Sequence, residues 1–432
     1  MSAPPPRHFD LFRARLRGIA LLRQLGPGLI TGAADDDPSG IATYSQAGAQ
    51  SGFGLLWTVV ITFPLMAAIQ LVSAHIGRIT GKGLAANMAK VMPRSLVQAL
   101  VLLLFVANTI NVGADLAAMG EAAGLIAGFG QHAFTVLFAL ASILLQLFIP
   151  YKRYARLLMV LTLSLFSYVA VVFLVHIDWT AAGLAMFGIG AELSRRAATT
   201  IVAVFGTTIS PYLFFWQSAE EVEELDHHAG EKPLKDDPAE ASGEFKRMRA
   251  DTIIGMAASN LVALAIMIST AVTLHATGTT DIQTASDAAK ALEPLAGRFA
   301  FVLFSMGIIG TGLLAVPVLA GSAAYAVCET RGWKIGLDYM PWEAAGFYSV
   351  IAAAVALGLG IDYSGLDPIK ALYWSAVING VIAVPMMAAM MYVSGHSGLM
   401  GGFVCSPTLK WLGWLSTAVM AAAAIAMLAT MV

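Results

Sequence analysis

The sequence predicts an all-α integral membrane protein of eleven transmembrane helices, arranged as two inverted blocks of five with one helix added. Three observations lead there. Of the 432 residues 58% are hydrophobic and only 12% charged, with a mean hydropathy of +0.75, whereas a soluble domain carries about 25% charged residues. Apolar runs of roughly 20 residues, the length that crosses a bilayer, recur along the chain. Two of those runs are interrupted by polar residues around a proline, Pro38 and Pro211, 173 residues apart. Each opens a block of five runs, and an odd block length turns the second block upside down in the membrane. Paired broken helices in corresponding positions mark a site near the midplane between inverted repeats.

The runs fall at 25–49, 54–77, 96–126, 132–150, 155–175, 198–217, 250–275, 297–327, 342–361, 369–394 and 411–431. Residues 1–24 precede the membrane domain of 25–431, in which 25–175 is the first repeat, 198–394 the second and 411–431 the additional helix. The first run is not read as a cleaved signal, because Arg23 interrupts its apolar lead-in and acids stand where a signal would stay apolar. Lys and Arg gather on the cytoplasmic side of membrane proteins. With the N-terminus inside, 20 of the 25 basic residues fall on the inner face, leaving Arg195, Arg196, Lys290, Arg298 and Lys370 outside. That asymmetry predicts a multi-pass protein of the inner (plasma) membrane with a cytoplasmic N-terminus and an external C-terminus.

Within the first run stand three consecutive carboxylates, Asp35, Asp36 and Asp37, then Pro38, Ser39 and Gly40. A charge at that depth costs about 3 kcal/mol or more, so such residues face water, a cation or a partner, and an ion pathway is the default reading. Pro38 removes a backbone donor and Gly40 loosens the chain, which predicts an unwound stretch whose carbonyls join the carboxylates around a cation. Which of Asp35 and Asp36 faces the cavity is left open by the sequence. In the sixth run Gly206-Thr207-Thr208-Ile209-Ser210-Pro211-Tyr212 repeats the pattern of small, hydroxylated residues before a proline. Alone it would read as a kink; paired with Asp37-Pro38 it reads as the second half of one site.

The remaining features carry less. The polar segment 218–249, with Glu220, Glu221, Glu223 and Glu224, reads as a charged loop with some helix, or else as an acidic lip gathering cations. His227 and His228 are adjacent and so do not converge on one ion. Cys328 and Cys405 lack metal-ligand spacing and are expected to be free thiols. Gly307, Gly310 and Gly312 read as helix packing and the scattered Met residues as core filling. Trp57, Trp216, Trp342 and Trp411 near run ends read as interfacial anchors. A net charge of −2 without a basic, aromatic-interleaved stripe excludes nucleic acid as a partner. The lipid bilayer is the one macromolecular surface implied, and oligomeric state is not encoded legibly.

The stretch from Gly26-Pro27-Gly28 through Asp37-Pro38-Ser39-Gly40-Ile41-Ala42-Thr43 resembles the first helix of the NRAMP divalent-metal transporters, whose signature there is Asp-Pro-Gly-Asn. Gly206 to Tyr212 resembles their sixth helix, where Met-Pro-His stands in place of Ser210-Pro211-Tyr212. The resemblance covers almost the whole chain and implies a LeuT-type fold, alternating access and a divalent cation held between helices 1 and 6. Position by position it places the metal-binding Asp on Asp37 and the carbonyl ligands on Ala34 and Thr207. The family's Asn falls on Gly40 and its sulfur-donating Met on Ser210, so two side-chain donors are missing. An all-oxygen site suits Mg²⁺ and Mn²⁺ rather than softer metals. The smaller residues leave room for Mg²⁺ to enter with part of its water. These departures resemble the NRAMP-related magnesium transporters more than the manganese and iron carriers. In helix 10 Ala376 takes the family's Gln position, and Asn379, one turn on, can present an amide oxygen or simply bond a neighbouring helix.

The family's proton route is thinned. Its His falls on Tyr212, a phenol that holds its proton too tightly near neutral pH to replace imidazole. Helix 3 keeps Asp115 but has Ala118 for the family's Glu, and 342–361 contains no Arg. Asn108, Asn111 and Asp115 form a polar stripe that is either part of the pathway, with Asp36, or an interhelical seam. The expectation is import of Mg²⁺ or Mn²⁺ without obligatory proton coupling and with no cofactor. The rivals are a proton-coupled manganese or iron carrier, and an organic-solute symporter whose helix-1 break would be neutral rather than acidic. A Mg²⁺-diphosphate enzyme would need a second acidic cluster in a span, and none exists.

Overall fold

The computed structural model describes residues 27–149, 163–191, 194–227, 231–337, 339–363 and 365–431. The N-terminal arginines, Lys152, Arg153, Arg156 and His228 lie outside the described residues. In chain order the principal helices are α1 (Pro27–Asp35), α2 (Pro38–Ser51), α3 (Leu56–Thr80), α4 (Leu84–Val91), α5 (Arg94–Ala127), α6 (Gln131–Phe148), α7 (Phe166–Leu174) and α8 (Trp179–Met186). They continue with α9 (Arg195–Thr208), α10 (Pro211–His227), α11 (Ala241–Thr273), α12 (Ala300–Arg331), α13 (Ala345–Asp362), α14 (Pro368–Ser394) and α15 (Pro407–Met431). Among the described residues nine segments are long and apolar enough to cross a membrane. The pair α1–α2 covers the first expected run, and the fifth is described only from residue 163 on, as the apolar stretch Leu163–Leu174.

Both breaks are where the sequence places them, and each is only two residues long. Asp37 caps α2 with extended backbone (φ −70°, ψ 168°), its side chain accepting from the Gly40 N–H, and Pro38 occupies the first helical position where no donor is needed. Between α9 and α10 the helix is interrupted at Ile209 and Ser210. Two close approaches hold the broken helices in the middle of the bundle. A Cβ on Gly32 of α1 would stand 2.4 Å from the Gly255 carbonyl carbon of α11. One on Gly206 of α9 would stand 2.1 Å from the Ala376 carbonyl oxygen of α14. Only glycine permits backbones so near. The broken sixth span is accordingly the most enclosed, 89% of its apolar window buried, against 22% for α6 at the periphery.

Three expectations are corrected. Trp216 is no interfacial anchor: it is fully buried, its ring 6.1 Å from that of Tyr325 on α12 and lying over Gly321. The acids after Gln217 are not a solvated loop, because α10 runs on to His227 and buries Glu220 and Glu221 against its neighbours. The seventh span begins at Ala241, nine residues ahead of its apolar run, since polar helix continues into the ion pairs of that face. By contrast, Gly312 does serve packing, its missing Cβ leaving room for Met119 and Pro38. Cys328 and Cys405 are free and buried.

Candidate functional site

Two helix C-termini, of α1 and α9, and two helix N-termini, of α2 and α10, stand at the breaks. The last turns of α1 and α9 leave carbonyls without intrahelical partners, a partial negative charge suited to a cation. Ala34 lies in one of these turns and Thr207 in the other. The Ala34 carbonyl accepts from the Tyr212 hydroxyl at 3.0 Å, and the Thr207 carbonyl from the Ser210 hydroxyl at 2.9 Å. Ser210 also reaches the Gly206 carbonyl at 2.6 Å. A carbonyl oxygen has two lone pairs, so each retains one.

Asp37, at the start of α2, is 1% exposed. Its Oδ1 accepts from the Ser39 hydroxyl (2.8 Å) and the Gly40 amide (2.7 Å), and its Oδ2 from the Asn111 side-chain NH₂ (3.0 Å). Three of roughly four lone-pair sites are thereby used, which orients the carboxylate rigidly. Gly40 supplies an N–H and space rather than a donor oxygen. A Cβ there would meet the Thr207 hydroxyl at 3.2 Å. The Thr207 hydroxyl in turn lies 3.5 Å from that of Ser39.

Around this core several buried polar atoms have no hydrogen-bond partner: both amide atoms of Asn379, Oδ1 of Asn111 and both carboxylate oxygens of Asp115. An unpaired buried polar group costs about 1–3 kcal/mol, more if charged, so such atoms mark a place for water or a ligand. Asn379 is carried by α14 next to Gly380, at the crossing with Gly206, and Asp115 is near enough to Asp37 for their charges to interact. The polar stripe of α5 thus divides. Asn108 is a seam, donating to the Leu319 carbonyl and the Ser322 hydroxyl at 2.8 Å each, while Asn111 and Asp115 face the site.

Asp35 and Asp36 turn elsewhere. Both approach the Ser259 hydroxyl of α11, at 2.6 and 2.9 Å, and neither makes a direct bond to the groups that hold Asp37. Among the described residues no three acidic, His or Cys side chains converge on one point. A cation here would be held by one carboxylate with carbonyl, amide and hydroxyl oxygens. Sequence reasoning missed Ser39, the Thr207 hydroxyl, Ser259 and the Tyr44–Thr208 hydroxyl pair at 2.9 Å. Ser39 was legible from adjacency. Ser259 lies over 220 residues from the acids it bonds, with no spacing signal to betray it.

The site is closed towards both faces. On one side Thr200 bonds Gln50 (3.2 Å) and Tyr373 (2.9 Å), joining α9, α2 and α14. On the other, Asp251 accepts from the Gly28 amide (2.7 Å), Thr31 bonds Gln217 (2.7 Å), and Gln217 leads to Glu221, which pairs with Arg247 at 2.9 Å. Arg78 completes this closure with Glu231 and Glu244 at 2.6 and 2.9 Å.

Comparison with known proteins gives the family and the fold. Residues 28–430 match the family described as natural resistance-associated macrophage protein-like. The divalent metal cation transporter MntH of Pectobacterium carotovorum is 27% identical over 401 residues, 91% of each chain. The manganese transporter of Eremococcus coleocola, solved with an aromatic bis-isothiourea compound, shares the fold at a TM-score of 0.74 and 16% identity, covering 100% of this chain and 89% of that one. Mhp1, a nucleobase-cation-symport-1 family transporter, superposes at 0.58 and 14% identity over 94% and 91%. The fold is therefore LeuT-like.

Proposed function

The chain belongs to the natural resistance-associated macrophage protein-like family, whose members are membrane transporters, and from that premise we propose that it carries Mg²⁺ or Mn²⁺ inward by alternating access without obligatory proton coupling. The observation that carries the reading is the donor set. Asp37, the free lone pairs of the Ala34 and Thr207 carbonyls, the Ser210 hydroxyl and the unpartnered Asn379 amide offer only oxygen. Oxygen donors suit Mg²⁺ and Mn²⁺ and give no advantage to softer metals. With one carboxylate present, most of the charge on a divalent ion stays uncompensated by protein, which favours an ion that keeps several waters.

Gly40 and Ser210 supply the volume for those waters. The Tyr212 hydroxyl is spent on the Ala34 carbonyl, Ala118 is apolar and α13 holds no Arg, so a chain of ionisable groups leading away from Asp37 is interrupted. The hydrogen bonds of Thr200 on one side and the ion pairs of Arg78 and Arg247 on the other support two gates that open alternately. The excess of Lys and Arg at the Arg78 face supports assigning it to the cytoplasm.

One observation favours a second reading, a proton-coupled manganese carrier: Asp115 is buried, unpartnered and within electrostatic reach of Asp37. Uptake into proteoliposomes, with Mg²⁺, Mn²⁺ and Ca²⁺ compared at equal concentration, tests the proposal. Mg²⁺ and Mn²⁺ should both enter and compete. Transport of Mn²⁺ with no competition from millimolar Mg²⁺ would favour the second reading.

A further inference from the structure

Away from the metal site a groove of about 1080 Å³ opens between α5, α12 and α13. Its polarity is graded along the membrane normal. The start of α5, the end of α12 and the start of α13 meet at one face, where Arg94, Arg331 and Trp333 line the groove. From Arg94 the α5 wall runs eleven residues to Phe105, roughly 16 Å of helix at 1.5 Å per residue, past Val101 and Leu102, with Ala353 opposite on α13. No Asp or Glu lines any part of it.

The guanidiniums are set for an anion. Arg331 lies 4.9 Å from the Trp333 ring centroid, a cation–π contact that holds it at the rim. Neither Arg94 nor Arg331 has a carboxylate partner among the described residues. On the adjoining α4, partial burial and the neighbouring Lys82 and Lys235 charges pull the Lys90 ammonium below its ordinary range. This is the face whose Lys and Arg excess assigns it to the cytoplasm, where the leaflet holds anionic lipids.

We propose that this groove is a binding site for an anionic phospholipid, with the phosphate held between Arg94 and Arg331 beside Trp333 and one acyl chain lying along Val101, Leu102 and Ala353. Basic pockets between transmembrane helices at the cytoplasmic level bind such headgroups. The apolar half distinguishes a lipid from a soluble phosphate, because only a chain-bearing ligand fills it.

The test uses the purified full chain, stripped of lipid in detergent and titrated with phosphatidylglycerol or phosphatidylcholine of matched chains, read by native mass spectrometry. At about fivefold per guanidinium, phosphatidylglycerol should bind about thirtyfold more tightly. Arg94→Gln with Arg331→Gln should bring that ratio to within about threefold, while Ala353→Trp, at an exposed position, should weaken both lipids and keep the ratio. Chain-free glycerophosphoglycerol should not compete. A wild-type ratio near one, an unchanged ratio in the double Arg variant, or displacement by the chain-free headgroup would each overturn the proposal. Lipid-free melting curves of the variants serve as the folding control, with Ser349→Trp as the alternative groove-filling variant.

Discussion

The Tyr212 hydroxyl donates to the Ala34 carbonyl at 3.0 Å, so the first turn of α10 is tied to the last turn of α1. This bond places a phenol where a proton-accepting group would have to stand free, and it partly occupies an oxygen proposed to bind the cation. Tyr212→Phe should lose about 1 kcal/mol of stability while keeping uptake, with metal affinity unchanged or improved because the carbonyl is released. A loss of transport above tenfold in liposome uptake would show that the hydroxyl itself acts on the ion or on a proton.

Asp37 is expected to be indispensable. Its three hydrogen bonds orient it, and the neighbouring Asp35 and Asp36 side chains are bonded to Ser259 instead, so Asp37→Ala leaves carbonyls and amides to hold a doubly charged ion. Uptake should fall to background with the melting temperature little changed. Asp35→Ala and Asp36→Ala, which lose only contacts to Ser259, should retain transport. If all three variants lose uptake equally, the acids act as one cluster rather than as one ligand with two neighbours.

Selectivity should follow volume. A Cβ at Gly40 meets the Thr207 hydroxyl at 3.2 Å, so the double variant Gly40→Asn, Ser210→Met crowds the site and adds a thioether. Mg²⁺, which dehydrates reluctantly, should lose more than Mn²⁺. Competition curves between the two metals before and after the change measure this, and unchanged curves would reject the account of the pocket.

Metal uptake should leave the internal pH of dye-loaded liposomes unchanged. A divalent cation gains about 4.6 kcal/mol per 100 mV on moving inward, twice the single-charge value, so the membrane potential suffices as the driving force. Asp115→Asn should likewise leave the pH dependence of uptake as it was. Metal-dependent acidification that disappears in Asp115→Asn would establish the proton-coupled reading instead.

Arg247 bonds Glu221, whose side chain is fully buried, and Glu244 beside it. Removing it strands a charge, a change that costs about 3–5 kcal/mol when both partners are buried and less here, where Arg247 is 24% exposed. Arg247→Ala should therefore lower the melting temperature and expose Asp251 and Thr31 on that face to labelling of cysteines placed there. Replacing Glu221 by Leu in the same variant should recover part of the stability. No change in either readout would mean that the ion pairs are not what closes this face.

The amino-acid sequence by itself determined the class, the eleven spans and the two breaks, because the cost of polar groups in hydrocarbon writes itself into composition and into the placement of Asp37-Pro38 and Ser210-Pro211. Those are local statements, each decided within one or two helical turns. What only the tertiary structure decided is which polar atoms find partners. Which of Asp35 and Asp36 faces the cavity stays open in the sequence until Ser259, on a helix more than 220 residues away, draws both aside. Asn108 and Asn111 share one helix face, yet one ends on Leu319 and Ser322 and the other on Asp37. Trp216 looks interfacial until α12 covers it, and Glu221 looks solvated until Arg247 reaches it. Hydrogen-bond satisfaction and burial are properties of the assembled bundle, set by backbone approaches such as Gly206 against Ala376, and no periodicity along one strand of sequence records them.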